Sequence, residues 1–134
     1  MAIFGAIGIA GTGLTVYRKW MDAVSDNIAN LNTVAPTSGP AFQARYVIAQ
    51  SVPATSGAGV QVGGAVFGPA TGRLTYQPDH PLADAEGYVR YPDIDLSSQM
   101  TQLIMAQRGY QANLAVVDRA HDAYSAALEL GRSA

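Results

Sequence analysis

The sequence predicts a mainly α fold: an antiparallel coiled-coil hairpin of N- and C-terminal helices with a small β-hairpin or extended-loop insertion between them. Three observations lead there. Apolar residues recur every three and four positions near both ends of the chain, which is the spacing of a helical seam. All 7 Pro fall between residues 33 and 92, so no long helix crosses the middle. Only 13% of the 134 residues are charged, about half the ordinary share. A small domain has a large surface for its volume and normally covers it with charge. A surface so poor in charge is meant to be hidden in something larger.

The chain divides into residues 1–32, 33–92 and 93–134. In the first part Ile3, Ile7, Ala10, Leu14, Tyr17, Met21, Val24, Ile28 and Leu31 alternate in steps of four and three. Gly5, Gly8, Gly11 and Gly13 each weaken a helix by about 1 kcal/mol relative to Ala. The helix is therefore expected to be firm from Leu14 and looser before it. Arg18 and Asp22 lie four apart and can pair weakly.

In the middle part Phe42, Ala44, Tyr46 and Ile48 alternate with Gln43 and Arg45, as a strand does. Residues 60–62 and 66–67 read as a second strand interrupted by Gly63 and Gly64, and residues 72–76 and 88–91 as two shorter ones. Turn-forming Pro and Gly separate them. So few short strands would be marginal by themselves.

In the last part Asp95 is a suitable N-cap and Gly131 a suitable stop. Between them Leu96, Met100, Leu103, Gln107, Tyr110, Leu114, Val117, His121, Tyr124 and Leu128 continue the four-three rhythm. A helix this long reaches about 50 Å, at about 1.5 Å per residue. The expected intramolecular seam sets these residues against Leu14, Tyr17, Met21, Val24, Ile28 and Leu31.

That seam does not exhaust the apolar surface of the second helix. Gly109, Val116, Ala123 and Leu130 form another stripe, and Ala106, Ala120 and Ala127 a third. The charges in this helix are Arg108, Asp118, Arg119, Asp122 and Glu129. A helix with water over half its girth carries more. The N-terminal helix supplies one neighbour, so these two stripes are expected to pack against other subunits.

Several chemistries find no support. The absence of Cys removes disulfides, thiolate metal sites and cysteine nucleophiles. A net charge of −2 without a basic cluster argues against nucleic acid. Residues 1–17 hold four Gly among their apolar residues and fall short of the about 20 apolar residues a spanning helix needs, so no stable membrane insertion is expected. Residues 8–15 imitate a phosphate-binding loop, but Leu14 stands where the Lys belongs. His80 lies in turn sequence, and His121 and Gln107 read as polar seam residues rather than catalysts. Asp84 and Glu86 flank a loop Gly, and Asp93 and Asp95 suit a helix start. No catalytic residue, cofactor or metal is assigned. The competing reading is a small ligand-binding domain or enzyme with its site in the β insertion.

Two stretches carry a family resemblance. Residues 27–33, Asn27-Ile28-Ala29-Asn30-Leu31-Asn32-Thr33, resemble the S-x-N-[IL]-A-N-x-x-T signature of bacterial flagellar rod and hook proteins. Residues 81–95, with Gly87-Tyr88-Val89 at their centre, and the run Tyr110-Gln111-Ala112-Asn113 resemble the FlgC family of proximal-rod proteins. Gln99 stands where that family commonly has Glu, and Gly109 where Ala or Ser is usual. The Gln removes a charge that could pair across subunits; the Gly loosens the helix or admits a close neighbour.

The resemblance implies a non-enzymatic structural subunit of the basal-body rod. Such subunits polymerise with other axial proteins into the hollow shaft that transmits torque to hook and filament and lets export substrates pass. Implied partners are other rod proteins, copies of the chain itself, basal-body ring and hook–basal-body adaptor proteins, and the flagellar type III export apparatus. The implied location is the periplasm-spanning rod, reached without a cleaved signal. Another axial subunit, of the distal rod or hook, is the alternative within this group.

Overall fold

The computed structural model describes residues 2–133, with the side chains of all but 2, 3, 56 and 133. Ile3, the first expected seam position, lies outside those described side chains. Helix α1 spans Ala2–Ala29 and α2 spans Leu96–Ser133. Between them come strands β1 (Arg45–Val52) and β2 (Gly59–Phe67), then β3 (Arg73–Tyr76) and β4 (Tyr88–Tyr91). The two pairs form separate antiparallel hairpins. The protein is thus two long helices packed together, with small β-hairpin insertions between them.

Helix α1 is continuous through its glycines, contrary to the expected loosening before Leu14. At Gly13 tertiary contact outweighs propensity, whereas Gly5, Gly8 and Gly11 face open space. A Cβ on Gly13 would lie 2.9 Å from the Asn113 side-chain oxygen, so the missing side chain lets α2 come close. The Thr12 hydroxyl donates to the Ile9 carbonyl at 2.7 Å and accepts the Val60 N–H at 3.1 Å, fastening β2 onto α1. Arg18 reaches the Tyr110 hydroxyl at 3.4 Å and is attracted more weakly by Asp22, which lies 3.9 Å from Lys19. Helix α2 begins as expected, with the Asp95 carboxylate accepting the Ser98 N–H at 2.7 Å. It continues through Gly131 instead of stopping there.

The helices meet on a face rotated from the expected seam. Tyr17 lies over Gly109, Gly13 opposes Asn113, and Trp20 donates to Gln102 at 3.4 Å. Asn27 donates to Gln99 at 2.9 Å, and Phe4 meets Tyr124 edge-on at 5.5 Å. Ala10, Val24 and Ala106 are buried between these contacts. On α2 this face sits one residue before the expected one, a turn of about 100°, while on α1 it keeps Ala10, Tyr17 and Val24 and takes Gly13, Trp20 and Asn27 in place of Leu14, Met21 and Ile28. The expected seam residues are distributed accordingly. Val24 is buried; Leu14, Tyr17, Met21, Ile28, Leu31, Leu103, Tyr110 and Val117 are half-buried; Leu96, Met100, Gln107, Leu114, His121, Tyr124 and Leu128 are exposed. The physical reason is close approach. Small residues let the two backbones near one another, and the larger ones are left to the flanks.

In the first hairpin the register shifts between Ile48 and Ala49, where Gly63 has no partner and forms a bulge. In the second, Gly72 holds φ at 56°, and a Cβ there would overlap the Tyr91 carbonyl oxygen and the Ala41 methyl. Gly72→Ala is expected to destabilise the β3–β4 hairpin by about 2–4 kcal/mol through strain and overlap. Limited proteolysis of the 77–87 loop reads this out: faster cleavage is expected, and an unchanged rate would contradict the assignment.

Candidate assembly interface

Two polar joints fix the frame. Asn27 is completely buried, and its side chain imitates a strand partner. Its Oδ1 accepts the Arg45 N–H at 2.7 Å, and its Nδ2 donates to the Arg45 carbonyl at 3.0 Å and to Gln99 Oε1 at 2.9 Å. One amide therefore joins α1, β1 and α2, and leaves none of its own polar atoms unpaired. Asp26 lies 3.4 Å from the Arg45 guanidinium alongside. Three signature positions further on, the Asn30 Nδ2 donates to the Asp26 carbonyl at 2.9 Å, and its Oδ1 accepts the Thr33 hydroxyl at 3.1 Å, rounding off the helix end. Gln99 is 2% exposed and faces inward, so a charge at this position would be set inside the chain, and not across subunits as expected of the Glu it replaces. Gly109 does admit a close neighbour, and that neighbour is Tyr17 of the same chain.

The second joint is the loop before β4. The Asp84 carboxylate accepts the Tyr88 N–H at 2.7 Å, the Glu86 N–H at 3.2 Å and the Thr37 hydroxyl at 2.9 Å. This presents Gly87, at φ 83°, for the turn and sends Val89, wholly buried, into the core beneath β4. Ala35 bridges Arg90 with N–H···O bonds of 2.8 and 2.9 Å, closing the loop over the hairpin. The Tyr88 amide and the other donors hold the Asp84 carboxyl below its ordinary value of 3.8. A depressed carboxyl stabilises the fold above its ordinary pKa and stops doing so as pH falls through the lower folded value. An NMR titration of Asp84 should have its midpoint below 3.8, with the loop loosening beneath it; a midpoint at or above that value would contradict the clamp.

What lies outside this frame is apolar. Among the described residues the buried apolar side chains are Ala10, Val16, Ala23, Val24, Ala41, Ala44, Val89, Pro92 and Ala106, none larger than Val. The larger ones are displayed. Leu96, Met100 and Ile104 line one side of α2 at four-residue intervals, exposed by 45, 46 and 47%. Met105, Leu114, Val116 and Leu128 are exposed elsewhere on α2, as are Tyr46, Ile48, Val62, Val66 and Phe67 on the first hairpin. Between α1 and β2 a cavity of about 340 Å³ is lined by Thr12, Thr15, Val16, Lys19, Val60, Gln61 and Val62.

The expected inter-subunit residues divide. Ala106 is buried and Gly109 and Ala120 half-buried, so Ala106 and Gly109 serve the chain's own hairpin; Val116, Ala123, Ala127 and Leu130 are exposed. Within Tyr110-Gln111-Ala112-Asn113, Tyr110 and Asn113 turn toward α1 while Gln111 and Ala112 face out.

The accessible surface is 8662 Å² for a chain of 14.0 kDa. A compact monomer of that mass exposes about 6,700 Å². The excess, about 2,000 Å², is of the size a specific protein–protein interface covers. Among the described residues no three His, Asp or Glu side chains gather as a metal site, and no helix is long and apolar enough to cross a membrane.

A helical hairpin that displays its larger apolar side chains belongs to the class of structural assembly subunits. Comparison with known proteins specifies which. The family profile for the C-terminal part of the flagellar basal body rod FlgEFG proteins matches residues 85–130. The flagellar basal-body rod protein FlgC of Yersinia enterocolitica is 34% identical, covering 98% of this chain and 100% of that protein. FlgC of Salmonella typhimurium is 33% identical with the same coverage. FlgC of Bacillus subtilis is 28% identical, again over 98% of this chain and 100% of that protein. The chain belongs to the FlgC family of flagellar basal-body rod proteins, a structural and non-enzymatic family.

Proposed function

We propose that this chain is a subunit of the proximal rod, with its helical hairpin built into the wall of a hollow shaft that carries motor torque toward hook and filament and lets export substrates pass. Its partners are other rod proteins, further copies of itself, the neighbouring ring and adaptor proteins of the basal body, and the type III export apparatus that delivers it without a cleaved signal. Val116, Ala123, Ala127 and Leu130, with the exposed Leu96, Met100, Ile104 and Leu114, are the residues proposed to meet neighbours. The observation that carries this reading is the apolar distribution among the described residues: no apolar side chain larger than Val is buried, while Phe4, Ile48, Phe67, Leu96, Met100, Ile104, Met105, Leu114 and Leu128 are exposed. In an open polymer a subunit offers different patches at its different contacts, which suits a surface that is apolar on several sides. Torque is then borne by many packed side chains rather than by any one bond.

Gene deletion with complementation tests it. Without the chain, isolated basal bodies should lack the rod and cells should not swim, and the tagged chain should return to the rod on complementation. Complete rods in the deletion strain would overturn the reading.

A further inference from the structure

The sequence carries the makings of two helix seams, and the hairpin adopts the one with less apolar bulk. The large-residue seam would set Leu14, Met21 and Ile28 against Met100, Leu103 and Leu114. The adopted seam keeps Ala10, Tyr17 and Val24, puts Gly13, Trp20 and Asn27 in place of those α1 residues, and on α2 lies one residue round, at Gln99, Gln102, Ala106, Gly109 and Asn113. Apolar burial by itself favours the first, because Leu, Ile and Met take more surface out of water than the Gly, Ala, Asn and Gln that stand in for them at every exchanged position but Trp20. Polar groups must therefore decide between them.

Asn27 is the residue placed to do so. It makes three hydrogen bonds, two to the backbone of Arg45 and one to Gln99, with no exposure to solvent. Turning α1 to bring Ile28 inward in place of Asn27 would carry this amide away from both partners and release β1. Turning α2 as well would bring Gln107 and His121, now exposed, into the seam. A single buried amide at a helix seam is a known means of fixing register at some cost in stability.

We infer that Asn27 and Gln99 are register-determining residues: their buried amide pair, tied to Arg45 of β1, holds the hairpin in the rotation that keeps Leu96, Met100, Ile104 and Leu114 outward for neighbouring subunits. This rests on the assembly reading above for what the outward face is for. The rotation itself is independent of that reading.

The test uses disulfide reporters, which the cysteine-free chain leaves unambiguous. A Cβ on Gly13 lies 3.1 Å from Asn113 Cγ, so Gly13→Cys with Asn113→Cys reports the adopted seam. Leu14→Cys with Leu114→Cys reports the alternative. Each pair is oxidised in the purified full-length chain, ordered with trimethylamine N-oxide, in the wild-type background and with Gln99→Leu or Gln99→Glu. The glutamate variant keeps an oxygen to accept from Asn27; the leucine variant does not. Gln99→Leu should shift the ratio of the two crosslinks by about tenfold or more toward the alternative pair, the scale set by leaving one buried amide unpaired. Gln99→Glu should hold the wild-type ratio.

An unchanged ratio in Gln99→Leu, equal shifts in both variants, or loss of both crosslinks would each overturn the inference; the last would mean that the pair merely holds the hairpin shut. Incorporation into basal bodies is scored in parallel. A shifted ratio with normal incorporation would leave the register role standing and strike at the assembly reading.

Discussion

Asn27→Ala is expected to cost about 2–4 kcal/mol, the most of any single truncation in the frame. The size of the loss comes from what is left behind. Arg45 loses partners for both its backbone N–H and its carbonyl, and the buried Gln99 loses the donor to its side-chain oxygen. Each uncompensated buried group costs about 1–3 kcal/mol, discounted for Arg45, whose edge of β1 water can reach. In the full chain ordered with osmolyte, hydrogen-exchange protection of the Arg45 amide should fall by about two orders of magnitude. The neighbouring exposed Ser25→Ala should change it little. Unaltered protection at Arg45 would show that the joint is ornamental.

Ile104→Glu is expected to have the opposite profile: little effect on the lone chain and a severe one on assembly. Ile104 is 47% exposed between Met100 and Leu114 on the outer side of α2, so a carboxylate there remains hydrated in the free subunit. Packed against a neighbour's apolar surface it must shed that water, at a cost of several kcal/mol unless a partner charge meets it. Incorporation into basal bodies should fall by about two orders of magnitude or more, while circular dichroism of the free chain stays as in wild type. Rods that accept the variant at the normal level would place this stripe outside the interface.

The two profiles bear on what could be read from sequence. The helical hairpin, the Asp95 cap and the positions of β3 and β4 follow from periodicity and turn chemistry, because those signals are local. The rotation of the hairpin does not. Leu96, Met100, Leu114 and Leu128 keep a regular seam spacing, but spacing says only that a face is covered, not what covers it. Here the chain's own partner takes the Ala106 and Gly109 side and leaves the larger stripe outward. A signal was present: Asn27 lies within the family signature, and Gly13 and Gly109 would weaken any helix not using them for close approach. The inward role of Gln99 was hidden because its partner Asn27 lies 72 positions away in sequence. The Asp84 clamp was hidden likewise, since Thr37 lies 47 positions from it.

The central claim is that a chain with nothing larger than Val fully buried among its described apolar side chains completes its structure through neighbours. Thermal circular dichroism of the dilute purified chain, with sedimentation to establish that it is monomeric, tests this most directly. The expected result is a broad, shallow loss of helicity without a cooperative transition, and ordered helix once the subunit is in the rod. A sharp, reversible, concentration-independent melting transition of the monomer would contradict it.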